Sequence, residues 1–500
     1  MTLVTARFPR AVVVLLATVT ALVAAGCAGQ RITGTPRAVG GIDPASVAGL
    51  EAHDGPSGPR PGAPDADLPV TNGDRGEMDR LAVNAVADIQ DFWKERFRSD
   101  FRVEYQPLAR LLSYDSGGKG VRTCRTSTSG QVNAFYCPPE DTIAWDRGEL
   151  LPMLDKQFGS MAVVTVLAHE MGHAVQHRLA RAAASTGIPE DARITPSTPT
   201  IVSEQQADCY AGSFFRHVAE GRAPRFQIST GAGLNQVLAS LFFIRDQVGT
   251  PYQKQGAHGS AFDRISAFQI GFGEGPVRCA RMGVQEMHSR ITELPFGTPT
   301  DKRAGGNMPV DEAGLREVQK SLHEAFRDTG APRPTFGSGS ASCSDAKPTK
   351  PAAYCPGSNT ISLDMRELTR IGTPPKKGER QGGGIGDFAA YGEVASRYVL
   401  AVQEATGANL RGDAAGLRTA CMVGSWAGQL LQHPLNKRNP IGNVRISPGD
   451  LDEAVAELLG KNSLIAADVD GHVVPSGFAR VEALRVGFMH GLGPCSERFN

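Results

Sequence analysis

Apolar and polar positions along this 500-residue chain follow different periods in successive stretches. The run Ala11-Val-Val-Val-Leu-Leu-Ala-Thr-Val-Thr-Ala-Leu-Val-Ala-Ala25 is uninterrupted by charge and follows Arg7 and Arg10. A bilayer-spanning helix needs about 20 apolar residues. The shorter run, its basic flank and the small residues before Cys27 predict an export signal over 1–26. Residues 27–75 carry Gly, Pro, Ala and Asp with hardly a large apolar side chain after Leu50, which predicts a disordered tether. From Leu81 to Phe92 apolar residues return at helical spacing, and Met161–Ala168 is apolar enough for a buried helix. Gln131–Asp146 has strand and turn character. These patterns predict an α+β fold, mostly helical, with a small sheet beside the buried helix.

That buried helix runs into His169-Glu-Met-Gly-His173. Two histidines four apart share one face of a helix and can clamp one Zn²⁺, with Glu170 between them as general base. A second helical stretch, Ser203-Glu204-Gln-Gln-Ala-Asp208-Cys-Tyr-Ala-Gly212, puts Glu204 and Asp208 on one face. A catalytic zinc takes three protein ligands and keeps one position open. Glu204 supplies the third, and Asp208 orients a histidine from behind; the reverse assignment of Glu204 and Asp208 stays open.

His169-Glu-Met-Gly-His-Ala-Val-Gln176 followed by Glu204-Gln-Gln-Ala-Asp-Cys-Tyr-Ala-Gly212 resembles the bacterial neutral zinc metallopeptidase family, within the zincin class, over roughly residues 80–290. The resemblance implies a zincin-like domain with endopeptidase activity, ligands His169, His173 and Glu204, and Glu170 as general base. Ala24-Ala-Gly-Cys27 resembles the lipobox of bacterial lipoproteins. It implies an acylated Cys27 and anchoring to the extracytoplasmic face of the cell membrane; the whole chain looks like a lipoprotein peptidase of the mycobacterial kind.

The chain also reads as one domain duplicated in tandem, 76–295 and 296–500. Asn133–Leu150 is echoed by Ala352–Leu368, Ala207–Ser213 by Thr419–Ser425, and Ala261–Phe272 by Gly477–Phe488, in the same order. Eight cysteines beyond Cys27 fall one to one on this repeat. An even count in an exported chain implies disulfides. The spacing pairs Cys124 with Cys137 and Cys343 with Cys355 across short loops, and Cys209 with Cys279 and Cys421 with Cys495 across long ones.

The second copy departs where chemistry is needed. Alignment sets His169 against Ser396, Glu170 against Arg397, His173 against Leu400, Glu204 against Gly416 and Asp208 against Ala420. The copy is therefore read as degenerate, with one zinc per chain in the first copy only. His258 aligns with Val474, which makes it a candidate catalytic residue bonding the oxyanion; Tyr210, opposite Met422, is a second. Arg264 and Arg480 match and read as ion-pair partners in the fold.

Charge narrows the rest. Lys and Arg number 52 against 52 Asp and Glu, and no basic cluster is dense enough for nucleic acid. Gly271–Gly275 and Gly382–Gly386 lack a phosphate-loop Lys and read as loops. The expected function is a membrane-anchored zinc endopeptidase acting on envelope or extracellular proteins, its degenerate copy free to hold a partner protein. The alternative is a non-catalytic zinc-bearing lipoprotein scaffold of the cell envelope.

Overall fold

Residues 46–182, 186–292, 295–339, 343–374, 384–431 and 443–499 are described by a computed structural model. The apolar run 11–25 and Cys27 lie outside the described residues, among which no helix is long and apolar enough to cross a membrane.

Helix α1 (Glu77–Arg96) turns Leu81, Ala85, Ile89 and Phe92 inward, with acidic residues in its first turn and basic ones in its last. It packs against the helix Ser160–Arg181, which in turn touches a four-stranded sheet of β1 (Val70–Thr71), β2 (Arg110–Tyr114), β3 (Ala134–Cys137) and β4 (Thr142–Asp146). The strand order is β1-β2-β4-β3; β4 runs parallel to β2 and antiparallel to β3. Every residue of β4 is buried, and β3 forms the edge. Helices α2 (Leu150–Phe158), α3 (Ser160–Arg181), α4 (Thr200–Ala219), α5 (Ala232–Phe243), α6 (Ala261–Glu274) and α7 (Val284–Arg290) follow.

The C-terminal half begins with α8 (Glu312–Ala325) and a three-stranded sheet of β5 (Thr335–Ser338), β6 (Ala352–Cys355) and β7 (Thr360–Leu363). Its order is β5-β7-β6, with β7 parallel to β5 and antiparallel to β6. Helices α9 (Asp387–Ala405), α10 (Asp413–Leu431), α11 (Asp450–Leu459) and α12 (Gly477–His490) complete it. One contiguous cluster of buried apolar residues runs from Val47 to Phe499 through both halves.

Disulfides join Cys124 to Cys137, Cys209 to Cys279, Cys343 to Cys355 and Cys421 to Cys495. The long-range pairs staple α4 and α10 beside two very close helix contacts. A Cβ at Gly212 would lie 2.0 Å from the Phe268 carbonyl oxygen, and one at Gly271 1.7 Å from that of Cys209. Gly424 and Gly487 meet the Leu484 and Cys421 oxygens at 2.0 and 1.7 Å in the same sense. Only glycine lets these backbones touch.

Two expectations are corrected here. Residues 46–75 are not a loose tether. Val47 is fully buried, Val70 and Thr71 pair with Leu111 and Leu112, and Gly58–Pro59 pairs with Phe226–Gln227. The segment needs no core of its own because backbone pairing and polar contacts, such as Arg60 Nε to the Ala223 carbonyl at 3.0 Å, tie it down. Gly271–Glu274 is helix rather than loop, since Gly271 serves the close contact with Cys209. Of the second glycine run, Gly382 and Gly383 lie outside the described residues.

Candidate metal centre

Helix α3 delivers His169 and His173 from successive turns, with ring centroids 4.9 Å apart. It comes close to α4 because a Cβ at Gly172 would stand 2.8 Å from the Ala207 Cα, so the motif's glycine sets the spacing of the two site helices. Across that gap Glu204 Oε2 lies 3.1 Å from His169 Nε2 and 3.4 Å from His173 Nε2. A zinc ion with ligand bonds of about 2.0–2.1 Å in a tetrahedron would set its donors about 3.3 Å apart. The donor chemistry fits as well, with two imidazoles and one carboxylate whose ligand atoms all lie within 4.8 Å of one another.

Asp208 stands behind this set. Its Oδ1 lies 2.7 Å from His169 Nδ1, and Arg264 holds both its oxygens from Nη2 at 2.8 Å and Nε at 2.9 Å. Glu170 is buried, and its Oε2 accepts the Tyr136 backbone N–H at 2.9 Å from edge strand β3.

A family model described as "Putative neutral zinc metallopeptidase" matches residues 19–281. The chain belongs to the neutral zinc metallopeptidase family. No curated protein and no solved structure matches it.

In this candidate centre, charge follows burial and neighbours. Burial disfavours a charged His169 ring, yet the Asp208 and Glu204 carboxylates hold its pKa up at about 10 in the metal-free site. Burial would lift Asp208, but the Arg264 guanidinium and His169 keep it at about 2. Glu204 is held well below the usual carboxylate range by the two histidines against its own burial. Glu170 is raised, chiefly by burial. A cation bound at Nε2 of His169 displaces the proton which that ring otherwise carries.

His258 reaches the same place from the loop before α6. Its Nε2 lies 3.5 Å from Glu204 Oε2 with the side chain 43% exposed, on the rim of the centre. Tyr210 is not brought to the site: it is buried against Trp93 at 5.2 Å between ring centroids, in the core behind α4.

Three contributors were not singled out from sequence. Gln176 Oε1 accepts from His173 Nδ1 at 3.0 Å, while its amide donates to the Ser203 carbonyl at 2.6 Å. Asp246 Oδ2 accepts the backbone N–H groups of His258 and Gly259 at 2.8 and 2.9 Å, which fixes the rim loop. The Tyr136 N–H is a backbone group and leaves no residue signature. Gln176, three residues after His173, could have been found from helix geometry.

Proposed function

We propose that this chain is a zinc-dependent endopeptidase, with His169, His173 and Glu204 as ligands. The carrying observation is the convergence of two imidazole Nε2 atoms and one carboxylate oxygen beside the buried carboxylate of Glu170. Zinc held there supplies Lewis acidity, which lowers the pKa of water to near 7 and polarises a peptide carbonyl. Glu170, oriented by the Tyr136 N–H, accepts the proton of the attacking water and passes it to the leaving amine. Asp208 and Gln176 keep each ring with its Nδ1–H bonded and its Nε2 directed at the centre. His258 donates to the carbonyl oxygen as charge develops there. A cavity of about 440 Å³ lined by Tyr136, His173, Gln176, His177 and Glu204 offers room for a peptide beside these groups.

The reading extends to the C-terminal half as a degenerate copy of the metallopeptidase domain. In its support, β3–β4 and β6–β7 pair in equivalent register, with Cys137 opposite Thr142 and Cys355 opposite Thr360. Under the repeat alignment Phe262 corresponds to Phe478 and Phe272 to Phe488. The rings pair crosswise, Phe262 with Phe488 at 5.2 Å and Phe272 with Phe478 at 5.1 Å, as two copies related by a twofold axis would. Arg397, aligned with Glu170, is fully buried and donates to the carbonyls of Leu464, Ala467 and Asp468. A guanidinium in that position leaves no base and no cation site.

Export through residues 1–26 and acylation of Cys27 complete the proposal, placing the enzyme on the outer face of the cell membrane with envelope or extracellular proteins as substrates. The deciding experiment is zinc stoichiometry of purified protein by elemental analysis, followed by a quenched-peptide cleavage screen. One zinc per chain with cleavage that a chelator abolishes is the expected result. A folded protein with zinc and no cleavage of any peptide would favour a scaffold role.

A further inference from the structure

A second cavity, of about 310 Å³, lies on the other side of α4 and shares no lining residue with the one at the metal centre. Its walls come from α6, α7 and α12, so both halves of the chain build it. Phe262, Ile270, Ile291 and Met489 make one side apolar, while Arg290 and Arg485 face in with Glu286 and Asp263.

Arg290 is poorly satisfied. Its side chain is nine-tenths buried, and neither its Nε nor its Nη1 has a hydrogen-bond partner. Its Nη2 makes only long contacts, 3.4 Å to Gln205 Oε1 and 3.7 Å to Met287 Sδ. The nearest carboxylate, Glu286, is 3.6 Å from Nε and is already engaged at 2.7 and 2.9 Å by Arg278. Arg485 is little better off, with Nε 3.3 Å from Gln269 Oε1 and Nη2 3.8 Å from Glu482. A guanidinium cannot shed its proton to escape burial, so an under-bonded one is costly. Burial lowers the pKa of both arginines, in line with that cost.

We infer that this cavity binds a small monocarboxylate with a short apolar body, its carboxylate on Arg290 and its chain against Phe262, Ile270 and Met489. A carboxylate matches the planar fork of an arginine and accepts from two of its N–H groups at once. Glu286 and Asp263 on the same wall repel a second negative charge, which disfavours phosphate. A peptide C-terminus and a short fatty acid share the recognised chemistry. The site sits one side chain from the metal centre, because Gln205, which Arg290 touches, donates to the His258 carbonyl at 3.2 Å.

The test is calorimetric titration of the full chain with sodium hexanoate, N-acetylleucine, hexanamide and inorganic phosphate. It needs neither bound metal nor turnover, so its failure and that of the peptidase reading are separate events. Hexanoate or N-acetylleucine should bind saturably, the tighter of the two naming the source, and Arg290→Gln should weaken that binding at least about tenfold. Ser289→Trp, at the exposed mouth of the cavity, should weaken it likewise and guards against a folding defect in the arginine variant. The inference is overturned if hexanamide binds as well as hexanoate, if phosphate binds better, or if both variants keep wild-type affinity.

Discussion

Asp208 and His169 are joined at 2.7 Å, Oδ1 to Nδ1, in a pocket where the aspartate is fully buried. With its pKa held at about 2 by Arg264 and His169 against the pull of burial, this carboxylate stays ionised throughout the neutral range. It therefore fixes the ring as the Nδ1–H tautomer and leaves Nε2 for a metal. Asp208→Asn should weaken zinc binding about 10–100-fold, read by competition with a chromogenic chelator. Arg264→Lys should weaken it less, since one ammonium replaces a two-point grip. Wild-type zinc affinity in Asp208→Asn would mean that the carboxylate does not orient the ring.

Glu170 and His173 occupy the same two turns of α3 and separate chemistry from binding. Glu170 reaches the Tyr136 N–H and lies outside the converging ligand set, which includes His173. Glu170→Ala should keep zinc and lower turnover by about 10²–10⁴, the usual contribution of a general base. His173→Ala should lose both metal and turnover. Elemental analysis and peptide cleavage on the two variants settle the assignment, and full activity in Glu170→Ala would exclude it.

The glycine contacts make a prediction about stability rather than chemistry. An added methyl at Gly271 or Gly487 meets a carbonyl oxygen at 1.7 Å, so the paired helices must separate. Each Gly→Ala change should cost about 1–3 kcal/mol or more, measured by urea unfolding. Alanine at Gly62, which has nothing within 4 Å but a φ of +74°, should cost about 1–2 kcal/mol from backbone strain alone. Equal effects at all three positions would mean that the helix contacts are looser than they look.

The candidate metal set was legible because an i, i+4 pair on a helix fixes its own geometry, and Glu204 and Asp208 repeat that spacing on the partner helix. Which of those two meets the Nε2 side of His169 and which its Nδ1 side was not legible, since it depends on the rotation of α4 about its axis. Gly172 against Ala207 sets how near the two helices come, a packing fact with no period in sequence. The helices α1 and α3 could be read from apolar spacing, whereas the short strands at 46–47 and 58–59 could not. The first pairs locally with Leu50–Glu51 and the second with partners up to 169 residues away, and composition alone made that stretch look unable to fold. Arg264 was readable as an ion-pair partner but not as the clamp on Asp208, because its partner lies 56 residues upstream.

Acid groups in the C-terminal half predict how stability responds to pH. Asp387 at the start of α9, and Asp450 and Glu453 in the first turn of α11, bring carboxylate oxygens within 4.8 Å of one another. Glu453 also accepts the Phe388 N–H at 2.9 Å, and Asp387 the Met308 N–H at 2.9 Å. Burial and the Asp387 charge push Glu453 up to about 9, and burial lifts Asp387 to about 6. Their ordinary values are 4.5 and 3.8, so between those limits the folded chain binds more protons than the unfolded one. Stability from this cluster is therefore full below about pH 4 and falls as pH rises through 6 and on to 9. Thermal unfolding followed from pH 5 to pH 9 should show a declining midpoint. Glu453→Gln keeps an acceptor for Phe388 and removes the charge, so it should flatten the decline and raise the midpoint at pH 8 by about 2 °C or more. An unchanged slope in that variant would mean that the carboxyl is solvated and ionised in the folded protein.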